Sequence, residues 1–216
     1  IQKAVANFPD TKWRIVTIHQ DIYGSGLDHS DTDGMILRTQ LTPVFDKYDI
    51  DVVLQGHDHT YSRSKILYGD GKSHGSYEFR LDETGLDYDW DHAYNNNTGE
   101  SITLNPLSSD TAAVEAKDAF TADNKCYTIE SSGKSVVTNT KGTLYMTANS
   151  ASGYKYYELI NSQQDYIEVR SENWLPSYSV IDLTKDDFKI TTYQITDEGK
   201  VENIDNTFTI HKTVNR

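Results

Sequence analysis

Cysteine is nearly absent: the 216 residues hold one, Cys126. A single thiol excludes an intrachain disulfide and any zinc site built on cysteine pairs. Basic residues are scarce as well, with 20 Lys and Arg against 33 Asp and Glu and a net charge of -13. That balance excludes the basic footprint through which nucleic acids and anionic membranes are bound. It also repels an anionic substrate unless bound cations reverse the local field. No apolar run approaches the ~20 residues that span a membrane. The first residue is Ile, and no charged, apolar and small-residue leader opens the chain. The expectation is therefore a piece of a longer gene product, or a processed one.

What is present is a polar, tyrosine-rich chain with 15 Tyr, 36% hydrophobic residues and a mean hydropathy of -0.65. The length suffices for a core in one large domain or two small ones. Rich in Tyr, Asn, Asp, Ser and Thr and nearly free of cysteine, it has the composition of a bacterial secreted protein. An extracellular or cell-envelope location is the expectation.

The opening segment IQKAVANF reads as the last turns of an amphipathic helix, closed by Pro9 and Asp10. WRIVTIH, residues 13–19, is β-branched and nearly continuously apolar, as a strand buried on both faces would be. A polar loop, QDIYGSGLDHSDTDG, follows. Ile36, Leu37, Leu41, Val44, Phe45 and Tyr48 then recur at helical spacing, with Pro43 expected to kink or restart the helix. DVVLQ, residues 51–55, is a second buried strand ending in Gly56-His57-Asp58-His59. The order strand, loop, helix, strand, loop is that of an α/β unit with a parallel sheet. Residues 69–141 turn rich in Gly, Asn and Asp and read as an irregular insertion or lid, with short strands near 76–81, 126–130 and 135–139 and a helix near 112–120. GTLYMTANS returns to strand, and the segments 178–184, 188–196 and 207–214 alternate as antiparallel hairpins do.

His19 and His57 each stand at the C-terminal end of a buried strand, the edge where open α/β sheets bind ligands. In a tight loop the His57-x-His59 pair aims two rings at two neighbouring ions more readily than at one. Imidazole suits zinc, iron and manganese-like ions. His74 and His92 lie in the insertion and read as solvated, and the acidic run LDETGLDYDWD lacks the spacing of a calcium loop.

Val16-Thr17-Ile18-His19 resembles the VxxH motif of the calcineurin-like metallophosphoesterases, and Gly56-His57-Asp58-His59 resembles their GHxH motif. GHDHTYSRS and GTLYMTANSASGYKYY look like the purple acid phosphatase branch. The likeness covers residues 1–68 well and about 142–212 more loosely. It implies the C-terminal half of a four-layer α/β/β/α sandwich, an α+β fold, with 1–216 as the C-terminal part of one such domain. It implies two metal ions, iron, zinc, manganese or similar, with His19 and His57 on one and His59 on the other. It implies His29, ten residues beyond His19, as the acid that protonates the leaving group. Asp28, Tyr61 and Arg63 become candidate contacts to a phosphate ester substrate. The GDxxY or GDxxD and GNH segments of that family, which supply carboxylate, tyrosinate and asparagine ligands, do not precede Val16. The expectation is thus a fragment lacking full activity, its exposed strand edge paired with an N-terminal half or with a second copy. Two alternatives stand beside it: a non-catalytic secreted binding module, and a mononuclear zinc hydrolase with all three histidines on one ion.

Overall fold

Helix and strand alternate at the front of the chain in the expected order. The computed structural model describes residues 1–27, 32–75, 77–89, 92–103 and 110–214. Helix α1 spans Gln2–Asn7, strand β1 Ile15–Thr17, α2 Thr32–Lys47 and β2 Val52–Gln55. α2 remains one helix through Pro43 rather than restarting there. Proline removes one intrahelical bond, and the burial of Phe45 with Leu37 and Leu41 against the sheet holds the helix across it. β1 is shorter than expected and lies at the sheet edge, with Ile15 38% exposed, so it is not buried on both faces.

Next come β3 Tyr61–Gly69, β4 Tyr77–Glu78, β5 His92–Asn95, β6 Ser101–Thr103 and α3 Thr111–Asp123. The Asp110 carboxylate caps α3 by accepting from Ala112 N at 3.1 Å. The chain closes with β7 Tyr127–Ser131, β8 Val136–Thr138, β9 Thr143–Ala148, β10 Ile167–Ser171, β11 Ser177–Leu183, β12 Asp187–Ile195 and β13 Val201–His211. The main sheet runs β1-β2-β9-β3-β10, with β7 paired to β3; β1, β2 and β9 are parallel to one another, and β3 is antiparallel to β9, β10 and β7. A second sheet runs β11-β12-β13-β8 and a small one β4-β5-β6.

The alternation of strand side chains builds the layers. Val53 and Tyr145 face α2 and pack with Phe45, Ile50 and Leu67. Val52, Leu144 and Met146 face the other way, onto Phe188, Ile190, Phe208 and Ile210 of the second sheet. The result is a mixed α+β fold, with helix, sheet and sheet stacked as the first three layers of the expected arrangement. The irregular segment is shorter than 69–141: β7 joins the main sheet and β8 the second, so the excursion ends before residue 127. His74 is not solvated but ties that excursion down, with Nε2 2.8 Å from Asp70 and Nδ1 donating to Asp123 O at 3.1 Å.

Two buried ion pairs join the layers. Lys212, just past β13, meets Asp51, just before β2, at 2.6 Å; their side chains are 3% and 1% exposed. Asp51 also accepts from Arg14 N at 2.9 Å, and Lys212 lies 4.6 Å from the Trp13 ring centroid. Between the sheets, Arg63 grips Asp205 with Nε at 2.5 Å and a terminal nitrogen at 3.2 Å, while Tyr61 OH donates to the same carboxylate at 2.6 Å. Removing one member of such a pair strands a charge in the interior. Lys212→Met is expected to cost about 3–5 kcal/mol in urea unfolding. The double variant Asp51→Asn, Lys212→Met recovers part of that loss; an unchanged midpoint in the single variant would refute the role given to the pair.

Candidate metal centre

β1 and β2 run parallel in register, Ile15 beside Val52 and Thr17 beside Leu54. The ladder continues past both strands: Ile18 N donates to Leu54 O at 3.0 Å and Gly56 N to His19 O at 3.1 Å. His19 and Gly56 therefore leave the sheet side by side, and His57 follows at once. A Cβ on Gly56 would stand 3.3 Å from His19 O and 3.7 Å from its Nδ1, so glycine lets the two loops close. His57 takes φ +66°, a left-handed conformation uncommon outside glycine. In that conformation its Nδ1 comes 3.2 Å from His19 Nε2, with the rings edge to face and 5.1 Å between centroids. Two imidazoles on one tetrahedral ion, with bonds of ~2.0–2.1 Å, place their nitrogens roughly 3.3 Å apart. The His19–His57 separation fits that requirement.

His59 is held separately. Its Nδ1 donates to Lys155 O at 2.9 Å and its ring lies 4.9 Å from that of Tyr157. A neutral histidine that donates from Nδ1 to a carbonyl keeps Nε2 as its lone-pair nitrogen, the arrangement metal-binding histidines use. Among the described residues no group of three or more His, Cys, Asp or Glu converges as an ion cage.

Beneath the histidines lies a buried polar layer that the motifs do not announce. Gln55 Oε1 accepts from Ile22 N at 2.9 Å and Tyr23 N at 3.1 Å, and its Nε2 donates to Thr147 Oγ1 at 3.1 Å. One amide thus fixes the loop after His19 to the ends of β2 and β9. Asp21 accepts from Tyr23 N at 3.1 Å and Thr147 Oγ1 at 3.2 Å. Asp58 accepts from Gly26 N at 2.6 Å and Thr60 Oγ1 at 3.1 Å. Burial, and then the Asp58 charge beside it, push the Asp21 carboxyl well above the usual carboxylate range. Held protonated, the Asp21 carboxyl sits beside Asp58 without adding a second like charge. Gly24 and Gly26 make room for them: a Cβ would fall 1.6 Å from Asp21 Oδ2 and 1.8 Å from Asp58 Oδ1 respectively. The sequence signal for this layer is polar residues flush with strand ends, in LQGHDH and IHQDIYGSG.

The remaining candidates divide. Contrary to the expectation, Tyr61 and Arg63 do not stand as phosphate contacts: both are buried between the sheets with their polar groups on Asp205. Two positions apart on β3, they share the face turned to the second sheet. His29 and Asp28 lie outside the described residues.

No family model matches the chain. Over 59 residues it is 41% identical to Fe(3+)-Zn(2+) purple acid phosphatase 12 of Arabidopsis thaliana, covering 27% of this chain and 12% of that protein. Purple acid phosphatase 1 of Ipomoea batatas is 37% identical over 59 residues, with the same coverage of 27% and 12%. An uncharacterized protein of Mycobacterium tuberculosis is 37% identical over 57 residues, covering 26% and 11%. Each match thus spans about an eighth or less of its relative's length. A purple acid phosphatase from yellow lupin seeds superposes with a TM-score of 0.46 at 11% identity, covering 93% of this chain and 25% of that one. The chain is purple acid phosphatase-like over the matched stretch, as the VxxH and GHxH motifs imply.

Glu172 stands near the layer, with Oε1 accepting from Trp174 N at 2.6 Å. Burial, countered by the Trp174 N–H but reinforced by the Asp58 charge, holds its carboxyl up at about 7 against an ordinary 4.5. The folded state keeps this proton more tightly than the unfolded chain. Its contribution to stability is therefore complete below pH ~4.5 and is lost as the pH rises through about 7. Glu172→Gln should flatten the fall in Tm across that window. Identical pH profiles for the variant and the parent would show that this carboxyl does not titrate there.

Proposed function

We propose that this chain carries the histidine side of a metal-dependent phosphoesterase centre that hydrolyses a phosphate ester. The observation that supports the reading most directly is the His19–His57 pair, with ring nitrogens 3.2 Å apart where adjacent parallel strands end. His19 and His57 would hold one ion, and His59, through Nε2, a second. Iron, zinc and manganese-like ions suit such nitrogen donors. When bound, such ions would supply an acidified water and positive charge for the attack on the phosphate ester. The chain's own residues position: Gln55 and the Asp21–Asp58 pair hold the loops that present the rings. His29 keeps the role of leaving-group acid that the resemblance implies. The single-ion reading with three histidines is disfavoured, because His59 is turned to Lys155 O while the other two rings face each other.

No carboxylate among the described residues joins the histidines. The remaining ligands would come from a segment outside them, and the chain alone is expected to be catalytically deficient. The edge of β1, paired only with β2 among the described strands, is where such a segment would add a strand. Beside that edge lies a cavity of about 340 Å³ lined by Ile1, Val5, Phe8, Trp13 and Ile15.

A Co2+ titration of the pure chain is expected to show binding that His19→Ala and His57→Ala each weaken by about tenfold or more. Turnover of p-nitrophenyl phosphate by the same chain, loaded with Zn2+, Mn2+ or Fe3+, is expected to be weak. Metal binding untouched by both variants would remove the centre, and brisk turnover would remove the deficiency. Native mass spectrometry reads the edge: a monomer at all concentrations argues against pairing of β1 with a second copy.

A further inference from the structure

Arg38 projects from α2 into the interior, and its side chain is 2% exposed. Its Nε donates to Ile22 O, and one terminal nitrogen donates to Tyr166 OH at 3.3 Å. The guanidinium carbon lies 4.6 Å from the Tyr23 ring centroid and 4.8 Å from that of Tyr166. Among the described residues no carboxylate forms an ion pair with it; the Asp21 carboxyl feels its charge but is itself kept protonated by burial, and the hydrogen bonds engage only Nε and one terminal nitrogen. A buried charge in this state is costly unless something supplies the opposite sign. Aromatic faces and one carbonyl compensate in part.

The same side chain lines a cavity of about 510 Å³ between α2, α3 and residues 160–166. Lys117, Lys125, Gln163 and Gln164 also line it, together with two carboxylates, Asp118 and Asp165, so its charged side chains are three cations against two anions. Lys125 is matched by Asp165 at 2.5 Å. Gln164 is not: its Oε1 accepts from Ser25 Oγ at 2.9 Å, while its Nε2 is buried with no acceptor. Two independent groups on one cavity can thus donate further: the Arg38 guanidinium beyond its bonds to Ile22 O and Tyr166 OH, and the Gln164 amide. The volume lies within the range of small-molecule sites.

We propose that this cavity binds a small molecule through an oxyanion group, carboxylate or phosphate, received by the Arg38 fork and the Gln164 amide. A planar fork of N–H groups matches both anions two bonds at a time. The site is separate from the histidine centre and does not depend on its metals. The two are mechanically joined, because the carbonyl Arg38 holds belongs to Ile22, three residues beyond His19.

The test uses the whole chain freed of metal by a chelator, titrated calorimetrically with inorganic phosphate or acetate at constant ionic strength, with chloride as control. Saturable one-to-one binding of either anion, retained in His57→Ala and weakened about tenfold in Arg38→Lys, is the expected result. Binding of phosphate alone assigns a phosphorylated ligand, and binding of acetate alone a carboxylated one. Gln164→Leu, at the cavity wall, is expected to weaken binding severalfold, and it keeps the test open if Arg38 variants fail to fold by circular dichroism. No saturable binding of either anion overturns the proposal, as does an equal response to chloride. Loss in His57→Ala would place the anion at the histidines, and full retention in Gln164→Leu and in a folded Arg38→Lys would place it elsewhere. Both outcomes overturn it, and neither bears on metal binding by His19 and His57.

Discussion

The parallel hydrogen-bond ladder between β1 and β2 is the constraint on which the candidate centre depends. It sets Thr17 beside Leu54 and carries on to a bond from Gly56 N to His19 O. A slip of one residue would turn each side chain to the opposite face and separate the two rings. Parallel neighbours cannot be joined by a tight turn, so the ladder requires the crossover that α2 supplies. α2 is therefore part of the site's geometry although no candidate metal ligand lies on it. Its packing through Phe45 onto Val53 and Tyr145 fixes how β2 sits under the loops.

Polar groups inside this fold are matched in a way that divides structure from chemistry. Between the sheets, Tyr61, Arg63 and Asp205 satisfy one another, and the Asp51–Lys212 pair bridges the start of β2 and the end of β13. Under the histidines, the matching serves the loops: Gln55 accepts from two consecutive backbone amides of the segment that leaves His19. A buried amide used in this way fixes a loop without adding charge. Asp21, kept protonated by burial and by the neighbouring Asp58, also limits the charge beneath the rings.

Much of this was legible in the sequence because it follows a period or a motif. The helical spacing from Ile36 to Tyr48, the buried run DVVLQ and the alternating tail became α2, β2 and the β11–β13 sheet. The histidines stand where strand-end chemistry places them. β3 was not legible. YSRSKILYG carries four consecutive polar residues, Ser62 to Lys65, without the alternation of a half-buried strand, and nothing local says that Asp205, 142 residues beyond Arg63, supplies the counter-charge of Arg63. Reading Tyr61 and Arg63 as substrate contacts followed from that omission. The end of the irregular segment is hidden for the same reason: β7 and β8 are recognisable only by partners far along the chain, β3 and β13. Gln55, Asp21 and Asp58 were visible as letters but not as a layer, since their contacts cross between β2, β9 and the loop that follows β1.

With 33 acidic side chains against 20 basic ones, a buried cation should find a carboxylate easily. Among the described residues the buried cations are Arg38, Arg63 and Lys212. Arg63 has Asp205 and Lys212 has Asp51, each within 2.6 Å. Arg38 has tyrosine faces and a cavity instead. In a chain so acidic, want of available carboxylates does not account for the difference. A carboxylate built beside Arg38 would neutralise it and close the cavity to anions. Leaving the position to aromatic rings keeps the guanidinium charged, buried and open on one side, which is the condition under which a small oxyanion binds most strongly.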